Sequence, residues 1–335
     1  RAVLTLAGRV VALRDHGNSL FVDLRDVSGR CQAFLQKKVL GPEPFKLLKA
    51  NLDLGDHLAV RGELGRTKKG ETTIFAEAAE LLTKALLPPP KEYYGVADVE
   101  LRYRQRYVDL VANPERLEQF RRRSLLVRDA RRFLEDEGFM EVETPMLHAI
   151  AGGAVARPFI THHNTLHTDL YLRIAPELFL KRLLVGGYEK VFEIGRNFRN
   201  EGLSPRHNPE FTMLEAYWAY ARMEDWCGAT ERLLAQLAAE HGAHVDAEGN
   251  DLGPTRLVHG ERVLDVSLPF ARRSWDELLG EYAGVSVFDE PGVLAKCREL
   301  GLEVDELPHA KRAEALFEHT VEPQLGDPTF VIDFP

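Results

Sequence analysis

The sequence predicts an α+β protein in two parts, a small closed five-stranded β-barrel and then an antiparallel sheet flanked by helices. Three observations carry this expectation. Five short runs of strand-like residues, parted by turn residues, fall within the first 86 positions. The run Pro88-Pro89-Pro90 then interrupts the chain as a short, stiff spacer. Beyond it, helical periodicity alternates with strand-like segments joined across polar loops.

In order, Val3–Arg9 leads to a turn at Asp15-His16-Gly17-Asn18, and Leu20–Arg25 alternates. A turn at Ser28-Gly29 precedes Cys31–Leu35, Gly55-Asp56 introduces Leu58–Arg61, and Lys69-Gly70 precedes Thr72–Phe75. Pro44–Ala50 reads as a short helix between strands. Closing the five strands removes the exposed edges of a small sheet. This pattern suits an oligonucleotide-binding barrel, where exposed aromatics stack on bases. Phe21 and Phe34 fit that role, and equally fit the barrel core.

A long helix is expected from Glu115 to Glu137, with Asn113 as its cap, Pro114 in the first turn and Gly138 as its stop. Leu117, Phe120, Leu125, Val127 and Phe133 give it an apolar side, and its arginines face out. Leu170–Ile174 reads as a strand, Glu177–Leu184 as a helix opened by Pro176 and closed by Gly186-Gly187, and Lys190–Gly195 as a strand. Glu210–Tyr220 is too apolar for a loop and starts as a strand. Helices follow at Glu224–Ala239 and Trp275–Tyr282, the second opened by a Ser274-to-Glu277 capping box.

Composition narrows the function classes. The hydrophobic share is 44%, and no stretch approaches the length of apolar chain needed to cross a bilayer. The N-terminus carries no export signal, and Cys31, Cys227 and Cys297 are scattered, so the expected location is the cytoplasm. A net charge of −9 argues against a nucleic-acid partner only on average, because ten arginines face four acids between Arg102 and Arg132. Those arginines suit phosphates, or else a solvated helix face.

Two strands carry more charge than a dry sheet tolerates. Parity places Arg199 and Glu201 on one face of Val191–Glu201, with Phe192, Ile194 and Phe198 on the other. Phe211, Glu215 and Tyr217 share a face of the following strand. A guanidinium suits a phosphate, an aromatic stacks on a base, and a carboxylate holds an amine. His207, in the loop between, reaches further phosphate oxygens. The alternative is a solvated face with internal Arg–Glu pairs. No P-loop is present, the pairs Gly152-Gly153 and Gly186-Gly187 form no dinucleotide fingerprint, and His162, His163 and His167 lack further ligands for zinc.

Longer motifs add a resemblance. Gly138-Phe139-Met140-Glu141-Val142-Glu143-Thr144-Pro145 resembles the first motif of class II aminoacyl-tRNA synthetases, a dimer-interface element. Phe198-Arg199-Asn200-Glu201-Gly202 with Pro209-Glu210-Phe211-Thr212-Met213-Leu214-Glu215 resembles the second. Arg157–Asn164 and Ala175-Pro176-Glu177-Leu178 resemble the class II lysyl-tRNA synthetases in particular, and Arg206-His207-Asn208 is a context that an aspartyl relative lacks.

The resemblance implies a lysine–tRNA ligase activity using ATP, with Mg2+ on the ATP phosphates, and a homodimer formed through Gly138–Pro145. It implies an anticodon-binding barrel over residues 1–86, a linker and interface segment over 87–112, and an aminoacylation domain over 113–335. Arg199 would contact the α-phosphate as the catalytic cation, Glu201 the adenine amino group, Phe211 the adenine ring and His207 the outer phosphates. Gly153, Glu177, Glu215 and Tyr217 would line the lysine pocket. Phe21 and Gln32, with Arg14 nearby, would read the anticodon of lysine tRNA. The family's metal-binding strands and third motif are expected beyond a segment like Phe330–Pro335, so no metal ligand is identified in this chain. The alternative function is a synthetase-like protein that binds tRNA or lysine without charging.

Overall fold

The computed structural model describes residues 2–87, 98–204 and 207–334. The proline spacer at 88–90 and Arg206 lie outside them. The chain divides into two compact units, residues 1–120 and 121–335.

The first unit is built on five strands, Val3–Asp15 (β1), Ser19–Asp26 (β2), Gly29–Gln36 (β3), His57–Arg66 (β4) and Thr72–Thr83 (β5). They close in the order β1-β2-β3-β5-β4, with β3 and β5 parallel and the other pairs antiparallel. Several run longer than the sequence reading, β1 through residues 10–15 and β5 through 76–83, both held by pairing with a neighbouring strand. Side chains alternate across each strand. Val10, Leu20, Val22, Leu24, Leu35, Leu58, Val60 and Ile74 therefore turn inward, and Phe45 and Leu48 of the helix Pro42–Asn51 (α2, after the short turn Lys37–Leu40, α1) pack against them. The same alternation turns Phe21 and Phe34 outward, which settles their two readings against the core.

Residues after 98 in the expected linker are helical, Val99–Arg104 (α3) and Arg106–Ala112 (α4). Asp98 caps the first by accepting from Leu101 N at 3.0 Å. The helix Glu115–Asp136 (α5) begins in this unit and continues into the second. Its expected apolar side is only partly right. Leu117 and Phe120 are exposed, and the Arg106 guanidinium lies over the Phe120 ring at 5.3 Å. Burial starts only at Asp129, Ala130, Phe133 and Leu134. Asn113 donates its side-chain amide to Asp109 at 2.8 Å.

The second unit holds a three-stranded sheet of Met140–Glu141 (β6), Lys190–Phe198 (β10) and Glu210–Trp218 (β11), in the order β11-β10-β6. The β10–β11 pair is antiparallel, as expected, but β6 joins β10 in parallel. Parallel partners need a long crossover. Here it contains a small sheet of Leu147–His148 (β7), Ile160–His163 (β8) and Thr168–Leu172 (β9), then the helix Glu177–Val185 (α6). Phe192, Ile194, Ala216 and Trp218, from one face of the β10–β11 pair, pack on Phe133 and Leu134 of α5 and on Trp226 and Leu233 of Met223–His241 (α7). The opposite face stays polar.

The remainder comprises Arg256–His259 (β12), Arg262–Asp265 (β13), Ala271–Ser274 (β14), Trp275–Ala283 (α8), Glu290–Glu299 (α9), His309–Thr320 (α10) and Thr329–Ile332 (β15). Trp275 stacks on Phe317 at 4.4 Å in its core. The capping box forms with both bonds at 3.1 Å.

Candidate active site and nucleic-acid face

On the barrel, register sets Phe21 opposite Phe34 and Phe34 beside Phe75. Phe21 and Phe34 stack at 4.5 Å, Phe75 meets Phe34 edge-on at 5.9 Å, and His16 meets Phe21 edge-on at 5.5 Å. This half-buried aromatic platform floors a cavity of about 690 Å³ rimmed by Arg14, Arg66, Lys68 and Lys69. Cations around exposed rings form a surface for a stacked, anionic ligand. Gln32 lies at its edge but is buried and already bonded. Thr73 donates to its carbonyl oxygen at 2.9 Å, and its amide donates to Glu71 at 2.9 Å. Arg14 pairs with the buried Asp23 carboxylate at 3.0 Å. Glu71 and Phe75 belong to this face and escaped the sequence reading, because a strand's outward residues are identified only once register is known.

On the sheet, Arg199, Glu201, His207 and Phe211 line one cavity of about 420 Å³. β10 ends at Phe198, so Arg199 and Glu201 do not continue its face as parity predicted. Pairing persists for one further rung, Arg199 N donating to Pro209 O at 2.9 Å, and then the chain turns out. Arg199 lies over the Phe211 ring at 5.3 Å. Its Nε is buried and has no hydrogen-bond partner among the described residues. His207 Nδ1 lies 2.8 Å from the Ser204 hydroxyl.

The polar face of the β10–β11 pair carries a second constellation. Val191, Glu193, Gly195 and Asn197 stand opposite Tyr217, Glu215, Met213 and Phe211. The Tyr217 hydroxyl donates to Glu215 at 3.1 Å. Burial, opposed by that bond and helped by Glu177, pushes the Glu215 carboxyl up, and burial beside the same carboxylates pushes the Tyr217 hydroxyl up. Gly153, at φ 92°, lies against α6, where a Cβ would stand 3.3 Å from both Ala175 Cβ and Glu177 Cβ. The ammonium of Lys181 donates to Glu177 at 2.6 Å and lies 5.9 Å from the Tyr217 ring centre. The four residues read as a lysine pocket thus fall together, and one of them, Glu177, already holds an ammonium group that the chain itself supplies.

On this face Glu193 and Asn197 are buried, as is Arg173, which bonds Glu193. Parity with Arg199 gave a signal for Glu193 and Asn197; Arg173, in the loop after β9, gave none. Of the three histidines of β8 and its turn into β9, His162 bonds Asp169 at 2.8 Å. Among the described residues, one group has metal-ligand atoms close together, within 4.8 Å: Asp129, Glu240 and His241. Its capacity is largely taken. Arg128 grips both Asp129 oxygens at 2.7 and 2.9 Å, and His241 lies 2.8 Å from the carboxylate. Those contacts, the Arg128 bonds foremost, hold the Asp129 carboxyl at about 2. A guanidinium and an imidazole suit no magnesium site, which takes oxygen ligands. No described helix is long and apolar enough to cross a membrane.

A family profile described as tRNA synthetases class II (D, K and N) matches residues 98–335, and one described as OB-fold nucleic acid binding domain matches residues 4–82. The chain is 48% identical over 334 residues to a lysine–tRNA ligase of Carboxydothermus hydrogenoformans, covering 98% of this chain and 66% of that protein. It is 48% identical over 335 residues to one of Wolinella succinogenes, covering 99% and 64%. With one of Aquifex aeolicus it shares 45% identity over 337 residues, covering 99% and 55%. The chain therefore spans slightly less than two thirds of the length of the curated relatives it matches.

Proposed function

The chain belongs to the class II tRNA synthetases of the D, K and N group, and we propose that it is the barrel and much of the catalytic domain of a lysine–tRNA ligase. The observation that carries lysine over aspartate or asparagine is the charge of the pocket. Glu177 and Glu215 offer carboxylates, and an ammonium, that of Lys181, already rests on Glu177 near the Tyr217 ring. A pocket for aspartate needs cations there instead.

Activation joins lysine to ATP. A carboxylate oxygen of lysine attacks the α-phosphorus, the bond to the bridging oxygen breaks, and pyrophosphate leaves. A ribose hydroxyl at the 3′ end of the tRNA then attacks the lysyl carbonyl and AMP departs. Arg199, stacked on Phe211 with its buried Nε unpartnered among the described residues, is set to meet negative charge gathering at the α-phosphate. Phe211 takes the adenine ring, Glu201 its amino group and His207 the outer phosphates. Glu177, Glu215 and Tyr217 hold the amines, and Gly153 gives the backbone room beside them. Positioning and charge stabilisation suffice, without a covalent enzyme nucleophile. Magnesium, when bound, would neutralise charge on the ATP phosphates. The cavity residues offer it one carboxylate, Glu201, and no step here depends on it.

The barrel face reads the anticodon, Phe21 by stacking and Gln32 with Arg14 at its rim. The chain acts as a homodimer through Gly138–Pro145, where Met140 and the following Met146, Leu147 and Ile150 are exposed apolar side chains. The domains run 1–86, 87–112 and 113–335, and the protein works in the cytoplasm. The test is amino-acid-dependent ATP–pyrophosphate exchange by the full-length protein. Lysine should drive it, and exchange driven by aspartate or asparagine instead would overturn the assignment.

A further inference from the structure

The carboxylates of the amine pocket stand closer than their charges allow unaided. Register places Glu193 directly opposite Glu215. Side chains opposed in this way have Cβ atoms about 5 Å apart, where like charges repel. Glu177 of α6 adds a third carboxylate, and the Tyr217 hydroxyl donates to Glu215. Two cations answer them. Lys181 is occupied with Glu177.

The other is Arg173, which is 1% exposed. Its Nε donates to Arg196 O at 2.8 Å, and its Nη1 donates to Thr144 Oγ1 at 3.2 Å and to Glu193 Oε1. Thr144 in turn donates to Glu193 Oε2 at 2.6 Å. Nη2 is buried with no hydrogen-bond partner among the described residues. It occupies the space that a side chain at Gly195 would fill, since a Cβ there would lie 2.1 Å away. Gly195 stands on the pocket face between Glu193 and Asn197, so its missing side chain is what admits the guanidinium to that face. The nearby His148 is bonded to Pro145 O at 2.9 Å, and burial pushes its imidazole down, toward the neutral form.

We propose that Arg173 is a positioning residue of the pocket: threaded past Gly195, it takes up the charge of Glu193 and leaves Glu215, directly across the sheet, to meet the ammonium of the amino-acid substrate. This rests on the lysine reading. It accounts for the balance at Glu215, which burial pushes up, Tyr217 draws down, Glu177 pushes up, Arg173 draws down and Glu193 pushes up. Without Arg173 the Tyr217 bond alone opposes burial and the two neighbouring carboxylates, and Glu215 keeps its proton to higher pH. An ammonium binds the ionised form, so affinity is lost as pH falls through the Glu215 pKa.

The experiment is calorimetric titration of the full-length protein with lysine from pH 4 to pH 8, for the parent, Arg173→Gln, Glu193→Gln and the double variant, with ATP titrated in parallel. Arg173→Gln should lose lysine affinity at higher pH than the parent, by about tenfold per pH unit below the shifted pKa, with ATP affinity unchanged. The double variant, lacking both charges, should regain the parent's profile. Glu193→Gln frees Arg173 to act on Glu215 and should move the profile to lower pH; it reports on the proposal even if Arg173→Gln fails to fold around a buried lone carboxylate. An unmoved profile in Glu193→Gln, or a double variant as impaired as the single one, overturns the proposal. A parent that binds no lysine at any pH overturns the lysine assignment instead.

Discussion

Replacing Phe21 with alanine removes one ring of the barrel platform while leaving Phe34 and Phe75 in place. Phe21 stacks on Phe34 at 4.5 Å, outside the barrel core, so its loss removes that aromatic pair, worth about 0.5–1.5 kcal/mol of stability, together with the edge contact to His16, and should leave the barrel folded. Stacking of a base on an aromatic is worth roughly 1–3 kcal/mol. Phe34 and Phe75 remain on the same face and still offer rings, which places the loss in the lower part of that range, about 1–2 kcal/mol or 5- to 30-fold in affinity. Gln32 should stay in position, since Thr73 and Glu71 hold it independently of the rings. The assay is fluorescence anisotropy with an RNA stem-loop carrying the lysine anticodon, at one fixed salt concentration because phosphate contacts weaken with salt. Lysine-dependent ATP–pyrophosphate exchange, run beside it, should be unchanged. Undiminished RNA affinity, or exchange falling in step with it, would refute the reasoning.

Three further outcomes follow from the geometry. Glu215→Gln in the full-length protein should weaken lysine binding by about 1.5–3 kcal/mol, the worth of a charge-assisted hydrogen bond, and leave ATP affinity nearly unchanged in calorimetry. Arg199→Ala should slow pyrophosphate exchange by about 3 kcal/mol, on the order of 100-fold, with lysine affinity largely retained. The buried Asp56 carboxylate accepts from Asp53 N at 2.8 Å, Ala85 N at 2.7 Å and Lys84 Nζ at 2.9 Å. Burial pushes its carboxyl up, but these donors outweigh burial and hold it below the usual range. Its contribution is therefore present above the unfolded pKa of about 3.9 and lost as pH falls through the folded value, so Asp56→Asn should lower barrel stability in urea at pH 7 and reduce the acid sensitivity of unfolding.

The sequence was most legible where a local rule determines structure. Alternation found the five barrel strands, and proline, glycine and capping residues found α6, α8 and the end of α5. Motif resemblance selected Arg199, Glu201, His207 and Phe211, which the structure brings to one cavity. What stayed hidden depends on residues distant in sequence. Parity placed Arg199 and Glu201 on a strand that in fact ends at Phe198, because strand length is set by pairing with β11. Leu117 and Phe120 look like core on a helical wheel yet are exposed in the first turns of α5. Arg173 comes from a loop, and its importance emerges only when Gly195 is seen to make room for it.

The most direct test of the account is charging itself. The full-length protein, given ATP, magnesium, total tRNA and a mixture of amino acids, should esterify lysine to the tRNA whose anticodon reads lysine codons, as identified by sequencing of the charged fraction and mass analysis of the released amino acid. Formation of lysyl-adenylate without transfer to any tRNA, or transfer of a different amino acid, would contradict the account.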